Sequence, residues 1–192
     1  MRLILLFAFT SLTTFCTAQI ASRNTVFAKE YSKELSLYKA KKFVIDEVIG
    51  NSTSPIKFEI DPLAAASSGE LTSLVYQCPD KNKDGMLLGF YGSYWNESGT
   101  VFQGFGFKDL PRAKALKLLN DIEANINLHK KYLSADKDNN NVFFDFDDLT
   151  ILMFGDGSFD KVKIRVFWGN FDADWDETAF KRTKKRLEKK LD

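Results

Sequence analysis

The stretch LTSLVYQCPDKNKDGMLLGFYGSYWNESGTVFQGFGF, residues 71–107, decides the fold because apolar runs alternate in it with turn residues. Its three apolar runs are rich in β-branched and aromatic residues and are separated by PDKNKDG and NESG. Clusters of Pro, Gly, Asn and Asp of this kind reverse the chain. The stretch therefore predicts an antiparallel meander of three strands. Its glycines predict bulges, curvature, or the close approach of another element or a ligand.

Helices are predicted on both sides of the meander. Before it, Phe27, Tyr31, Leu35 and Tyr38 recur every three or four residues and would form one helical stripe. After it, the segment KDLPRAKALKLLNDIEANINLHKKYLS is the clearest helix of the chain. Asp109 and Pro111 would open this helix, and the residues of its buried stripe would be Leu116, Leu119, Ile122, Ile126 and Leu133.

The C-terminal third predicts further strands and a last helix. NVFFDF, LTILMFG and KVKIRVFW have strand patterns, and in the last of them Val162, Ile164, Val166 and Trp168 alternate with Lys163 and Arg165. A helix would begin near Trp175, where Asp174 and Glu177 have the spacing of a capping box. Strands and helices thus come in blocks, which is typical of the α+β class. We expect a curved antiparallel sheet with a central packing helix and with N- and C-terminal helices.

The N-terminus predicts export. Arg2, an apolar stretch, and small residues ending at Ala18 have the order of a secretory signal peptide over residues 1–18, so that Gln19 would begin the mature chain. The apolar stretch is shorter than the roughly 20 residues that span a bilayer. We therefore expect a secreted or periplasmic protein without a membrane span, with residues 19–192 as a single domain. Cys78 would be its one cysteine, so packing has to supply the stability.

Charge and residue content exclude several classes of function. A formal net charge of +1 gives no field that would attract nucleic acid. The sole histidine, His129, excludes a multi-histidine zinc site and is expected to be partly packed on the central helix. Phosphate loops, nucleophile elbows and dinucleotide fingerprints are absent from the sequence. We expect no cofactor, and a pairing of Cys78 with His129 stays open without a supporting signature.

Two acidic loops have half of a calcium-binding pattern. Residues Asp80–Gly85 and Asp136–Asp147 place Asp and Asn at the first ligand positions of an EF-hand loop. The last ligand position holds Tyr91 in the first loop and the short Asp147 in the second. Strand patterns flank the first loop on both sides, and a strand pattern follows the second where an EF-hand needs a helix. Asp and Asn also favour tight turns without any ion. We expect turns and no metal site, with calcium as the alternative.

Asp145 and Asp147 are the candidate acids of a hydrolase. On a regular strand they would share a face about 7 Å apart, a separation that a glycosidase pair could use. Solvated carboxylates at a strand end are the preferred explanation, because no sequence feature places an acid of raised pKa beside them. A secreted hydrolase that uses Asp145, Asp147 or Glu97, with or without calcium, is therefore the first alternative function.

Aromatic side chains give the main functional prediction. Within residues 90–107, rings alternate with glycines on both faces of the strands, so the sheet is either covered on both sides or presents an aromatic platform. Tyr and Trp combine a large apolar face with a polar tip, which suits recognition of ligands, glycans and proteins. The predicted ligand-binding residues are Tyr91, Tyr94, Trp95 and Phe102.

The sequence thus predicts an exported, non-enzymatic binding or interaction protein. Its partner is unknown and would be a protein, a glycan or a small apolar ligand. A carrier that holds an apolar ligand between curved strands and the central helix is the second alternative. The basic C-terminal helix is explained by solvation, and an anionic membrane or glycan surface is its alternative partner.

Overall fold

A computed structural model describes residues 25–27, 33–95, 98, 101–136, 139–155 and 161–191. For residues 25–27, 33–36, 93–95 and 101–103 the description is that of the backbone. The predicted signal peptide, residues 1–18, lies outside the described ranges.

The described chain contains nine strands and three α-helices. The strands are β1 (Thr25–Phe27), β2 (Glu59–Ala65), β3 (Leu71–Cys78), β4 (Lys83–Trp95), β5 (Val101–Pro111), β6 (Asn141–Phe146), β7 (Leu149–Gly155), β8 (Val162–Trp168) and β9 (Phe171–Asp176). The helices are α1 (Lys33–Phe43), α2 (Arg112–Ala135) and α3 (Glu177–Leu191). A π-helical segment, Val44–Ile49, extends α1.

The strands form two antiparallel sheets. The first sheet has the order β1-β5-β4-β3-β2 and the second has the order β6-β7-β8-β9. Each contains a meander of four consecutive strands followed by a helix, α2 after β5 and α3 after β9. The α+β class, the three-stranded meander, the central helix and the strands β6, β7 and β8 are confirmed. The strands form two sheets, whereas the sequence analysis predicted a single one.

The first sheet is covered on both faces because its strands carry apolar residues on both. On one face, Leu71, Val75, Leu88 and Phe90 join the core formed with α2, α3 and the second sheet. On the other face, a second core forms beneath α1 and the π segment. Its sheet residues are Leu74, Tyr76, Cys78, Leu87, Phe105 and Phe107, and its helical residues are Ala40, Phe43, Val44, Val48 and Ile49.

The second sheet buries one face. In β7, Leu149, Ile151 and Met153 are buried, whereas the residues between them are partly exposed. On the edge strand β6, Phe143 points outward and is 68% exposed. This alternation is typical of an antiparallel sheet with one solvated side.

The helix α1 differs from its predicted stripe. Phe27 lies in β1, Tyr31 lies outside the described residues, and Tyr38 is 72% exposed. The helix instead packs through its C-terminal half, beginning with Ala40 and Phe43. The stripe was wrong at Tyr38 because the burial of α1 depends on the second core, which a local period does not reveal.

The start of α3 was also predicted too early. Phe171, Ala173 and Trp175 alternate into the core and extend the sheet by the strand β9. The residue that caps the N-terminus of α3 is Asp176 and not Asp174. Its Oδ1 accepts a hydrogen bond from the Ala179 amide at 2.9 Å. Burial of Trp175 against the neighbouring strand therefore prevails over the local capping pattern.

Candidate functional site

Strand β2 forms an edge of the first sheet and contains an irregularity. Pro62 pairs with Leu74 and Ala64 pairs with Ser73, so Leu63 is an extra residue in the ladder. Pro is tolerated on an edge strand because its missing N–H faces no partner strand. An extra residue bends a strand and re-aims its side chains. The segment DPLAAASSG has the small-residue composition of a loop, so the local sequence gives no sign of this bulge.

Helix α3 holds the bulge from one side. The Ser73 hydroxyl accepts a hydrogen bond from the Ala64 amide at 3.2 Å and shares one of 2.6 Å with the Thr183 hydroxyl. Ser73 and Thr183 are both buried. The Arg186 guanidinium donates to the Leu63 carbonyl oxygen. The backbone of the bulge is thus fixed by Ser73 on the neighbouring strand and by Arg186, which lies 123 residues from Leu63 in the sequence.

A cleft opens at the bulge between α1, the β2–β3 hairpin and α3. This bulge cleft has a volume of about 480 Å³ and is lined by Leu37, residues 62–65, Gly69, residues 72–74 and Arg186. The lining is mainly apolar, and Ala64, Ala65 and Gly69 leave space because their side chains are small. Pockets of roughly 300–1,000 Å³ with an apolar lining and a few polar groups are typical of small-ligand sites.

Arg186 provides the positive charge in the bulge cleft. In the described part of the chain it has no carboxylate partner. The nearby Asp61 is neutralised by Lys190 at 2.6 Å, and the hydrogen bond to Asp61 raises the pKa of Lys190. The cleft therefore combines an apolar lining with one cation that is not neutralised.

A second cleft, of about 320 Å³, lies at the start of α3 and has a mixed polar and apolar lining. Ser67, Lys161 and Asp174 line it together with Asp176. Burial would raise the pKa of Asp176, but hydrogen bonds from the Ala179 and Ser67 amides outweigh it and lower the pKa. Because Asp176 already connects α3 to the loop after β2 by hydrogen bonds, we interpret its role in this cleft as structural.

A part-buried polar pair at the second core was not predicted. The Tyr76 hydroxyl donates to Asp109 Oδ1 at 2.8 Å, and burial raises the pKa of both side chains. Gly85 lies beneath the Tyr76 ring between their two strands. The sequence analysis placed Asp109 at the start of a helix, whereas β5 continues through Pro111. No local pattern signals the pair, because it is made by strand register.

The predicted recognition residues lie on the β4–β5 hairpin. Tyr91 is half-buried and packs against the second core, and the neighbouring rings of Phe90 and Phe105 are buried. The ladder pairs Tyr94 with Phe102 and ends at Trp95. The side chains of Tyr94, Trp95 and Phe102 lie outside the described residues, so their role in recognition stays a prediction.

In the described parts of the two acidic loops, Asp and Asn residues accept backbone hydrogen bonds or adopt left-handed turn conformations. Asp80 accepts a hydrogen bond from the Lys57 amide at 2.9 Å, and Asn82 has a left-handed φ of 50°. Asp136 accepts from the Asn139 amide at 3.2 Å, and Asp147 has a φ of 52° in the β6–β7 turn. Within the described residues, no group of three potential metal-ligating side chains comes together. Residues 137 and 138 lie outside the described ranges.

The candidate acids of a hydrolase have separate partners. Asp145 accepts from the Thr150 hydroxyl at 2.6 Å, and Asp147 pairs with Lys114 at 2.6 Å. Neither lines the two clefts described above. Glu97 lies outside the described residues.

Cys78 and His129 do not meet. Cys78 is buried in the second core, beneath α1. His129 is half-buried on α2, which packs against the opposite face of the first sheet. The sheet therefore lies between the thiol and the imidazole.

Comparisons with protein-family models, curated proteins and solved structures gave no match. Among the described residues, no helix has both the length and the hydropathy needed to cross a membrane.

Proposed function

We propose that the protein is exported and acts by binding an apolar ligand in the bulge cleft. The observation that carries this proposal is the apolar lining of a 480 Å³ cleft whose walls come from three elements distant in sequence. A small-residue wall made of Ala64, Ala65 and Gly69 gives the ligand room, and Leu37 and Leu74 offer apolar contacts. Burial of ligand surface against such walls is favourable by roughly 25 cal/mol per Å².

Preorganisation supports the proposal. The bulge that shapes the cleft is held by the Ser73–Thr183 hydrogen bond of 2.6 Å and by Arg186 on the Leu63 carbonyl. A ligand therefore meets a wall that is already ordered, and little conformational entropy is lost on binding. This cleft differs in position from the cavity that a carrier would have beneath the central helix. There, Leu118, Leu119 and Ile122 are fully buried and fill the space.

Binding is tested with the neutral, environment-sensitive dye Nile red. We expect its fluorescence to rise on mixing with the wild-type protein, because it enters an apolar site. Ala65→Trp would fill the cleft and abolish the rise. Ala124→Trp, at an exposed position of α2, is the matched control and should leave it unchanged. Equal fluorescence with all three proteins would contradict the proposed site.

The export part of the proposal rests on the order of charge and hydropathy in residues 1–18. N-terminal sequencing of the protein purified from its native source tests it. We expect the mature chain to begin at Gln19, and a mature chain that retains residues 1–18 would contradict export by a cleaved signal.

The β4–β5 hairpin is a second candidate surface for the same binding function. Strand β4 continues to Trp95, whereas its pairing with β3 ends at Phe90. Trp95→Ala should weaken retention on a glycan or protein array without lowering the melting temperature, and unchanged retention would argue against this surface.

A further inference from the structure

The bulge cleft contains a charge that a purely apolar ligand would not use. Arg186 reaches from α3 to the Leu63 carbonyl and lines the cleft at the same time. A guanidinium has five N–H donors in a planar fork. Its contact with one carbonyl leaves donors for a further acceptor, and in the described part of the chain no carboxylate occupies them.

The surrounding charges favour an anion at this position. Arg182 lies one helical turn before Arg186 and is exposed, with no ion pair to the described residues. The carboxylate of Asp61 is engaged by Lys190 at 2.6 Å, and that of Glu70 accepts the Asp174 amide at 2.9 Å. The two arginines have no carboxylate partner among the described residues, whereas Asp61 is paired with Lys190 and Glu70 is held by a backbone amide.

A β-strand of a partner protein does not fit this edge. Strand addition needs a run of free backbone donors and acceptors. Here Pro62 lacks an N–H, the bulge at Leu63 breaks the repeat, and Arg186 covers the Leu63 carbonyl oxygen. The edge strand β2 of the first sheet is therefore protected from pairing with a strand of another protein.

We propose that the occupant of the bulge cleft is a single-chain amphiphile with a carboxylate headgroup, of the fatty-acid class. Its hydrocarbon chain lies against Ala64, Ala65 and Leu74, and its carboxylate is bound by the Arg186 fork, with Arg182 adding to the positive potential. This inference rests on the proposed function of the cleft and specifies its ligand. A planar fork suits a carboxylate because it can donate two parallel hydrogen bonds.

Displacement of Nile red by decanoate and by decanol tests the headgroup, since the two have the same chain length. We expect decanoate to bind the wild-type protein more tightly than decanol. Arg186→Gln should weaken decanoate about 10- to 100-fold, the loss expected for a hydrogen bond to a charged group, and should weaken decanol much less, because Gln retains an amide donor for the Leu63 carbonyl. Arg186→Lys keeps the charge without the planar fork, so it should bind decanoate more tightly than Arg186→Gln and less tightly than the wild type. Lys189→Gln, an exposed cation of the same helix outside the cleft lining, is the matched control.

A measurement on the wild-type protein alone covers the case in which Arg186→Gln does not fold. Raising the salt concentration should weaken decanoate and not decanol, because salt screens the attraction between charges. Acetate, which has the headgroup without the chain, should not displace the dye.

The outcomes separate the two proposals. Equal affinity for decanoate and decanol, with no effect of salt or of Arg186→Gln, would overturn the carboxylate headgroup and leave the apolar cleft standing. Failure of both amphiphiles and of Nile red to bind would overturn both proposals, and a protein segment would then be the better occupant.

Discussion

The two sheets share a topology and differ in how they are covered. Each has four consecutive antiparallel strands followed by a helix, β2–β5 with α2 and β6–β9 with α3. The first sheet has a core on each face, whereas the second has one core face and one solvated face. The sequence has no recognisable repeat, so the similarity lies in the arrangement of strands.

The difference follows from the number of apolar positions in each strand. In β3, Leu74 and Val75 are neighbours and both are buried, on opposite faces. In β8, Val162, Ile164 and Val166 are buried, whereas Lys163 and Arg165 are partly exposed. Consecutive apolar residues thus require two covering layers, and strict alternation requires one.

The largest difference in stability between the two sheets is expected when one phenylalanine ring is removed from each. Phe105→Ala, in the second core, should lower the free energy of unfolding by about 3–5 kcal/mol because it leaves a cavity. Phe143→Ala, on the exposed face of the second sheet, should change it by less than about 0.5 kcal/mol. Urea denaturation measures both. Similar losses would mean that the outer face of the second sheet is covered as well.

A glycine in each sheet gives the next test. A Cβ on Gly85 would lie 2.5 Å from the Leu110 carbonyl oxygen and 2.6 Å from the Tyr76 hydroxyl. Gly85→Ala should therefore cost about 1–3 kcal/mol through overpacking. Gly169, in the β8–β9 turn, has open space but a φ of +54°, so Gly169→Ala should cost about 1 kcal/mol through strain alone. Thermal denaturation would show which variant loses more stability. A larger loss for Gly169→Ala than for Gly85→Ala would contradict the close packing around Gly85.

The pH dependence of two carboxylates should have opposite signs. Burial raises the pKa of Asp109 in the first sheet, so the folded state binds this proton more tightly than the unfolded chain. The contribution of Asp109 to stability is thus fully present below the ordinary pKa near 3.8 and is lost as the pH rises through the raised value. Asp109→Asn keeps the acceptor for Tyr76, and it should match or exceed the wild type at pH 7.

Asp148, in the β6–β7 turn of the second sheet, should behave in the reverse way. Burial would raise its pKa, but hydrogen bonds from Lys108 and Trp168 outweigh burial and lower it. Its contribution is present above its ordinary pKa and is lost as the pH falls through the lowered value. Asp148→Asn should therefore be less stable than the wild type at pH 7, by a small amount because the carboxylate is 56% exposed. The midpoint of urea denaturation should be measured for Asp109→Asn, Asp148→Asn and the wild type between pH 3 and pH 7. If the midpoints of both variants changed in the same direction relative to the wild type, these two expectations would be wrong.

The smallest effect is expected on the solvated face. Arg165 pairs with Asp172 at 2.8 Å and with Asp174 at 2.9 Å on the neighbouring strand. Arg165→Gln should cost about 0.2–1 kcal/mol, and less at high salt, because exposed ion pairs are weak and screened. Lys131→Gln, at an exposed position of α2, is the control. A cost above that of Gly85→Ala would indicate that this face is not solvated.

Elements with a strong local period could be predicted. The meander, α2 and the strands β6 to β8 have apolar residues at the spacing of their own secondary structure, and the structure contains them all. The strand β9 was missed because FDADWD has too few apolar residues to outweigh the capping pattern around Asp174. The bulge at Leu63 was missed because DPLAAASSG has the composition of a loop, and only pairing with β3 makes it a strand.

The candidate site was the least predictable part. The sequence analysis directed attention to the aromatic hairpin, where Tyr91 proved half-buried and the other predicted side chains lie outside the described residues. The bulge cleft has no motif, since alanines, a glycine and one arginine are ordinary residues in a sequence.

The sequence by itself determined the class of the fold, because hydrophobic periodicity is a local property that survives without knowledge of contacts. It also determined that the first sheet needs two covering layers or an exposed platform. Only the tertiary structure showed a core on each face of the described part of the first sheet, placed Asp109 beside the buried Tyr76, and brought Arg186 to the Leu63 carbonyl 123 residues away. The physical reason is that a pKa, a bulge and a cleft depend on neighbours brought together by strand register and helix packing, which no local pattern encodes.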